Sequence, residues 1–95
     1  MARRTRPTSS WSASASPLSS LAKRSVLLSG HATSVALEPE FWAVLDAIGA
    51  ELNLGRAALL IRIDAWRGRR PLASACRVLA LQWASGDHSF AGTET

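Results

Sequence analysis

Along residues 31–52 the apolar positions change spacing at a single proline. Thr33, Val35 and Leu37 alternate with Ala32, Ser34 and Ala36, the pattern of a strand with one covered face. Beyond Glu38-Pro39-Glu40, the residues Phe41, Leu45, Ile48 and Leu52 recur at i, i+4, i+7 and i+11, which is one stripe of a helix. Pro39 suits the first helical turn, where its missing N–H costs nothing, and Glu38 and Glu40 complement the positive end of the helix dipole. The pattern predicts a short strand from about His31 to Leu37 that runs directly into a helix. That helix ends near Leu52, where Asn53-Leu54-Gly55 supplies turn chemistry.

A second helix is predicted to begin around Arg56, with Leu59, Ile63 and Trp66 on one stripe and Leu60 beside it, and to stop at Gly68-Arg69-Arg70-Pro71. A third runs from about Pro71 to Ala84, with Leu72, Cys76, Leu79 and Trp83 on its stripe and Gly86 closing it. Before the strand, Ser25 to Ser29 form a short β-prone run punctuated by Gly30. From Met1 to about Ala22, Ser, Pro, Ala and Arg dominate, and Trp11, Leu18 and Leu21 are too sparse to offset the entropy of ordering. The end, Asp87 to Thr95, carries little to hold it and is expected to fray. The organisation expected is a disordered basic tail over residues 1–22, a folded unit over 23–85 and a flexible tail over 86–95.

A folded portion of about 60 residues hides only ~60% of the surface its unfolded chain exposes. With 47% hydrophobic residues, such a chain is expected to complete its core with a second copy. The charge is uneven. Residues 1–37 hold Arg3, Arg4, Arg6, Lys23 and Arg24 with no acid, whereas residues 38–95 hold six arginines against seven acids. A basic surplus confined to the N-terminal arm and strand suits a polyanion. Cys76 is the single cysteine, so an intrachain disulfide is impossible and a reducing cytoplasm fits. No apolar run approaches the ~20 residues of a membrane span, and residues 1–22 lack the apolar centre of a secretory signal.

The runs Lys23-Arg24-Ser25-Val26, Gly30-His31-Ala32-Thr33-Ser34-Val35, Leu37-Glu38-Pro39-Glu40-Phe41-Trp42, Ile63-Asp64 and Leu72-Ala73-Ser74-Ala75-Cys76-Arg77-Val78 together resemble a bacterial branch of the ribbon-helix-helix DNA-binding proteins that carries an extra C-terminal helix. The resemblance covers about residues 23–83. It implies a mainly α fold with one short N-terminal strand, built as an intertwined homodimer in which two strands pair antiparallel into a ribbon that enters the major groove of double-stranded DNA. Ala32, Ser34 and Ala36 would then point at base edges, and Lys23 and Arg24 would add charge. The start of the second helix, Gly55, Arg56 and Ala57, would meet a phosphate through free backbone N–H groups. Val35, Leu37, Phe41, Trp42, Leu45 and Ile48 would form the dimer core. In similar sequences position 32 is commonly Arg and position 36 polar. Both are Ala here, which removes two hydrogen-bonding readers per strand and shifts the balance from base reading to backbone attraction.

Other chemistries find little to stand on. Trp42, Trp66 and Trp83 lie on or beside apolar stripes, so packing explains them better than base stacking. His31, His88 and Cys76 show no metal-ligand spacing, no cofactor motif is visible, and no Gly-x-Ser-x-Gly elbow, phosphate-binding glycine loop or paired-carboxylate site offers a route to catalysis. Arg67, Arg69 and Arg70 suit the negative end of the second helix. The first helix is acidic outside its stripe, which disfavours a membrane surface. The expected function is that of a non-enzymatic, DNA-binding transcriptional regulator. The alternative is a dimerising, antitoxin-like module whose partner is another protein.

Overall fold

The computed structural model describes residues 21–93. The chain opens with two antiparallel strands, β1 (Ala22–Leu28) and β2 (His31–Leu37), followed by the helices α1 (Pro39–Leu52), α2 (Arg56–Trp66) and α3 (Leu72–Ala84) and a 3-10 helix over Ser89–Thr93. The strand expected to stand alone and await its twin is instead paired within its own chain, from Ala22 opposite Leu37 to Leu28 opposite His31. The reversal is made by two residues. Ser29 (φ 53°) and Gly30 (φ 81°) both take positive φ, the conformation of a two-residue hairpin turn whose twist matches that of the flanking strands. Lys23-Arg24-Ser25 hides this strand from a reading by hydrophobicity, because only Val26 of β1 is fully buried. The other edge of β2 has no strand partner among the described residues.

Antiparallel partners share a face, so the register sorts the ribbon into two sides. Val26, Val35 and Leu37 turn inward and pack under the helices. The chain then passes through Glu38, in extended conformation, into α1 with Pro39 in its first turn. Arg77 of α3 clamps that junction, its Nε lying 3.1 Å from Oε1 of Glu38. At the other end of α1, Asn53 takes the left-handed conformation (φ 61°) and the Leu54 N–H donates to the Gly49 carbonyl at 2.7 Å. A Cβ on Gly49 would come within 2.7 Å of the Leu54 carbonyl oxygen, so this tight reversal into α2 requires glycine.

The buried face of α1 is Trp42, Leu45, Ile48 and Gly49, rotated from the predicted stripe, so that Phe41 and Leu52 are only half-buried at its flanks. Phe41 lies instead beneath the Arg77 guanidinium, 5.7 Å from ring centroid to Cζ. On α2 the buried residues are Leu59, Leu60 and Ile63, and on α3 Ala75, Cys76, Leu79, Ala80 and Trp83. The small Ala75 and Ala80 widen the covered face of α3 beyond a single stripe. Of the six residues expected in a dimer core, Val35, Leu37, Trp42, Leu45 and Ile48 are already buried within one chain. A second copy is not needed to cover them.

Residues 87–93 depart from the expected frayed end. Phe90 is only 1% exposed and meets Trp66 edge-on, with ring centroids 5.4 Å apart. Asp87 caps the short helix by accepting from the Ser89 N–H at 3.0 Å, and the His88 ring stacks on Trp83 at 3.9 Å. One buried aromatic therefore holds a segment that composition alone would leave loose. The expected tail over residues 1–22 lies outside the described residues up to position 20, and Ala22 already belongs to β1.

Candidate nucleic-acid interface

The outward side of the ribbon carries three cross-strand pairs: Lys23 with Ala36, Ser25 with Ser34, and Leu27 with Ala32. Neither strand contains an acid. Ala32, Ser34 and Ala36 do share one side, as the alternation of β2 requires, and only Ala36 is half-buried among them. The hairpin adds Lys23, Ser25 and Leu27 to that side, and Leu27 is 64% exposed. Ser25 and Leu27 do not emerge from the strand period of residues 31–37 alone. The signal that finds them is Ser29-Gly30 between two β-prone runs.

Arg24 is separated from Lys23 by that same alternation. It falls on the inner side of β1, opposite Val35, and its Cζ sits 5.6 Å from the Trp42 ring centroid. Arg56, at the start of α2, approaches the same ring, with Cζ 5.4 Å from the centroid. Two guanidinium groups thus converge on one buried indole. The Trp42 N–H, in turn, donates to the Ala22 carbonyl at 2.8 Å and fixes the ring against the start of β1.

Arg56 is also held by a carboxylate. Its Nε lies 3.1 Å from Asp46 Oδ1 and its Nη2 2.8 Å from Oδ2, a two-pronged pair reaching back to α1. The Asp46 hydrogen bond raises the guanidinium pKa above its already high ordinary value, so Arg56 stays cationic. Gly55 precedes it in extended conformation (φ −71°, ψ 170°), and no side chain caps the helix start. The first amides of α2 therefore face outward from a positive helix end, the arrangement that suits an anion.

Sequence-based assignments of DNA contact thus fall into two groups of residues. Lys23, Ala32, Ser34 and Ala36 line the outer side of the ribbon, whereas Arg24, Gly55 and Arg56 gather around Trp42 and the start of α2. Among the described residues, no set of three His, Cys, Asp or Glu side chains could hold a metal ion. No described helix is long and apolar enough to cross a membrane. The free thiol of Cys76 is buried on the inner face of α3, and burial pushes its pKa up to about 11.

Comparison with curated proteins and with solved structures gives no significant match. The family model described as the ribbon-helix-helix domain matches residues 21–84, from the residue before β1 to the end of α3, and the chain belongs to that family.

Proposed function

We propose that the protein is a regulator of transcription that binds duplex DNA, laying the outer side of the β1–β2 ribbon in the major groove while Gly55 and Arg56 meet the phosphate backbone. The observation that carries this reading is the outer side itself: acid-free, exposed apart from the half-buried Ala36, and bearing Lys23 and small or hydroxyl side chains. The major groove admits a two-stranded ribbon, and a face without carboxylates avoids like-charge repulsion there. Membership of a family that is generally non-enzymatic and DNA-binding supports the same function. The work is binding, in a reducing cytoplasm, without cofactor.

The DNA-binding unit is a homodimer. Ribbon-helix-helix domains typically bind DNA as dimers, and two copies related by a twofold axis would each present a two-stranded ribbon to the duplex. In this arrangement Val35, Leu37, Trp42, Leu45 and Ile48 support the interface from within each chain, and Phe41, half-buried, remains available to the partner. Sedimentation equilibrium at micromolar concentration should return twice the chain mass.

A second reading is carried by Leu27. A leucine 64% exposed beside Ala32 is an apolar contact on the face proposed to meet DNA, and it equally suits the surface of another protein, as in an antitoxin-like module. Fluorescence anisotropy with random duplex DNA at low salt separates the two. Salt-sensitive binding supports the DNA function; its absence from the full-length dimer leaves the protein-binding module as the better account.

A further inference from the structure

Resting on the DNA-binding proposal, we infer that β1, the strand upstream of the family's strand-to-helix junction, supplies the hydrogen-bonding base readers that β2 lacks: Lys23 and Ser25. On β2 the outward positions are Ala32, Ser34 and Ala36, and only Ser34 has a hydrogen-bonding side chain. A strand so equipped distinguishes bases poorly, since alanine offers only contact with a thymine methyl. The hairpin register places Lys23 directly opposite Ala36 and Ser25 directly opposite Ser34.

Partners across an antiparallel pair have Cβ atoms about 4.5–5.5 Å apart and lean to the same side. Lys23 thus stands next to the position where Ala36 offers no hydrogen bond, and its ammonium can donate to guanine O6 and N7 in a groove that Ala36 leaves open. Ser25 and Ser34 form a pair of hydroxyls that donate or accept, suited to either purine edge. Arg24, between them in sequence, is on the inner side against Trp42 and does not share this role. Leu27, opposite Ala32, contributes an apolar surface of the kind that meets a thymine methyl.

The test is selection from a random duplex library with the full chain and with Lys23→Ala and Ser25→Ala, followed by affinity and salt dependence on the enriched sequence and on unrelated DNA. Both positions are exposed, and the fold of each variant is checked by its thermal transition. The expected result is an enriched motif for the full chain that loses preference at one or two adjacent base pairs in each variant. Affinity for the enriched sequence should fall about tenfold. Ser25→Ala should leave the salt slope unchanged, because no charge is removed. A variant that does not fold is replaced by Lys23→Gln or Ser25→Thr, which should shift the motif rather than erase binding. If both variants enrich the same motif as the full chain and weaken all sequences alike, β1 reads no bases and the inference falls while DNA binding stands. If the full chain binds DNA but enriches nothing, the inference falls likewise. If the full chain does not bind DNA at all, both are lost.

Discussion

The Trp42 indole N–H donates to the Ala22 carbonyl at 2.8 Å, joining the first turn of α1 to the first residue of β1. This single bond closes the ribbon over the helices at the end remote from its turn, and it anchors the ring that Arg24 and Arg56 approach. Trp42→Phe keeps an aromatic ring but leaves the carbonyl without this partner. It should lower stability by about 1–2 kcal/mol, whereas Trp42→Ala should cost about 3–5 kcal/mol through the cavity it opens. Urea unfolding followed by far-ultraviolet circular dichroism measures both. An unchanged unfolding midpoint for Trp42→Phe would mean that the hydrogen bond contributes nothing.

Ser29 takes a φ of 53° that L-residues with bulky side chains resist. Ser29→Asn places a residue that tolerates this conformation at the first turn position and should stabilise the hairpin by about 0.5 kcal/mol. Ser29→Val should destabilise it by about 1–2 kcal/mol. Thermal melts of the two variants should therefore move in opposite directions.

The same residues explain how much of the fold is legible in the sequence. The strand at His31–Leu37 and the helix opening at Pro39 are written in local spacing, and the observed elements keep those bounds. β1 is written instead in its partner: Lys23, Arg24 and Ser25 are exposed, so the strand shows little apolar period until Ser29-Gly30 is read as a hairpin turn. Trp42 in place of Phe41 on the buried face of α1 follows from tertiary contact with Ala22, which no helical wheel contains. The docking of Phe90 has the same character, because its partner Trp66 lies on another helix. The outward side of β2 is readable from alternation alone. The added face from β1, and the capture of Arg56 by Asp46, depend on pairings between distant segments.

Gly49 sets two effects of opposite sign against each other. Gly→Ala in a helix interior gains about 1 kcal/mol of helix propensity. Here the new Cβ would meet the Leu54 carbonyl oxygen at 2.7 Å, and that backbone atom cannot swing aside as a flexible side chain could. Overpacking typically costs about 1–3 kcal/mol, so steric conflict should win and Gly49→Ala should be destabilised by about 1 kcal/mol net. A rise in denaturation midpoint would show that the turn into α2 yields easily.

Cys76 predicts a pH dependence at the alkaline end. Its thiol titrates at about 11 when folded against an ordinary 9.0, because burial disfavours the thiolate. With the folded pKa raised, the protonated thiol leaves stability undiminished by this group below pH 9.0, and stability is lost as pH climbs from there toward about 11, where the unfolded chain releases the proton more readily. Cys76→Ala should remove that component of the decline. At mildly alkaline pH a disulfide reagent should modify the native chain far more slowly than the urea-unfolded chain. Rapid modification of the native protein would contradict the burial of the thiol.

Arg56 lets the electrostatics of DNA binding be taken apart, because its guanidinium already has a partner. Asp46 and Arg56 are 48% and 38% exposed, and a surface pair of this kind is worth about 0–1 kcal/mol, little enough for a phosphate to replace the carboxylate. Asp46→Asn should free the guanidinium for a phosphate, steepening the fall of log K with log salt by up to about 0.9 per chain. Arg56→Ala should make the slope shallower by a similar amount. The double variant should match Arg56→Ala, since Asp46 acts through Arg56. All three should change affinity for unrelated duplexes alike, because phosphate contacts carry no direct base information. Removing residues 1–20 takes away Arg3, Arg4 and Arg6 while sparing the Ala22 carbonyl that Trp42 needs, and so measures the arm separately. If wild-type protein binds DNA with a measurable salt slope that neither Asp46→Asn nor Arg56→Ala alters, the start of α2 does not meet the phosphate backbone, and the charge contact must come from Lys23 and the arm.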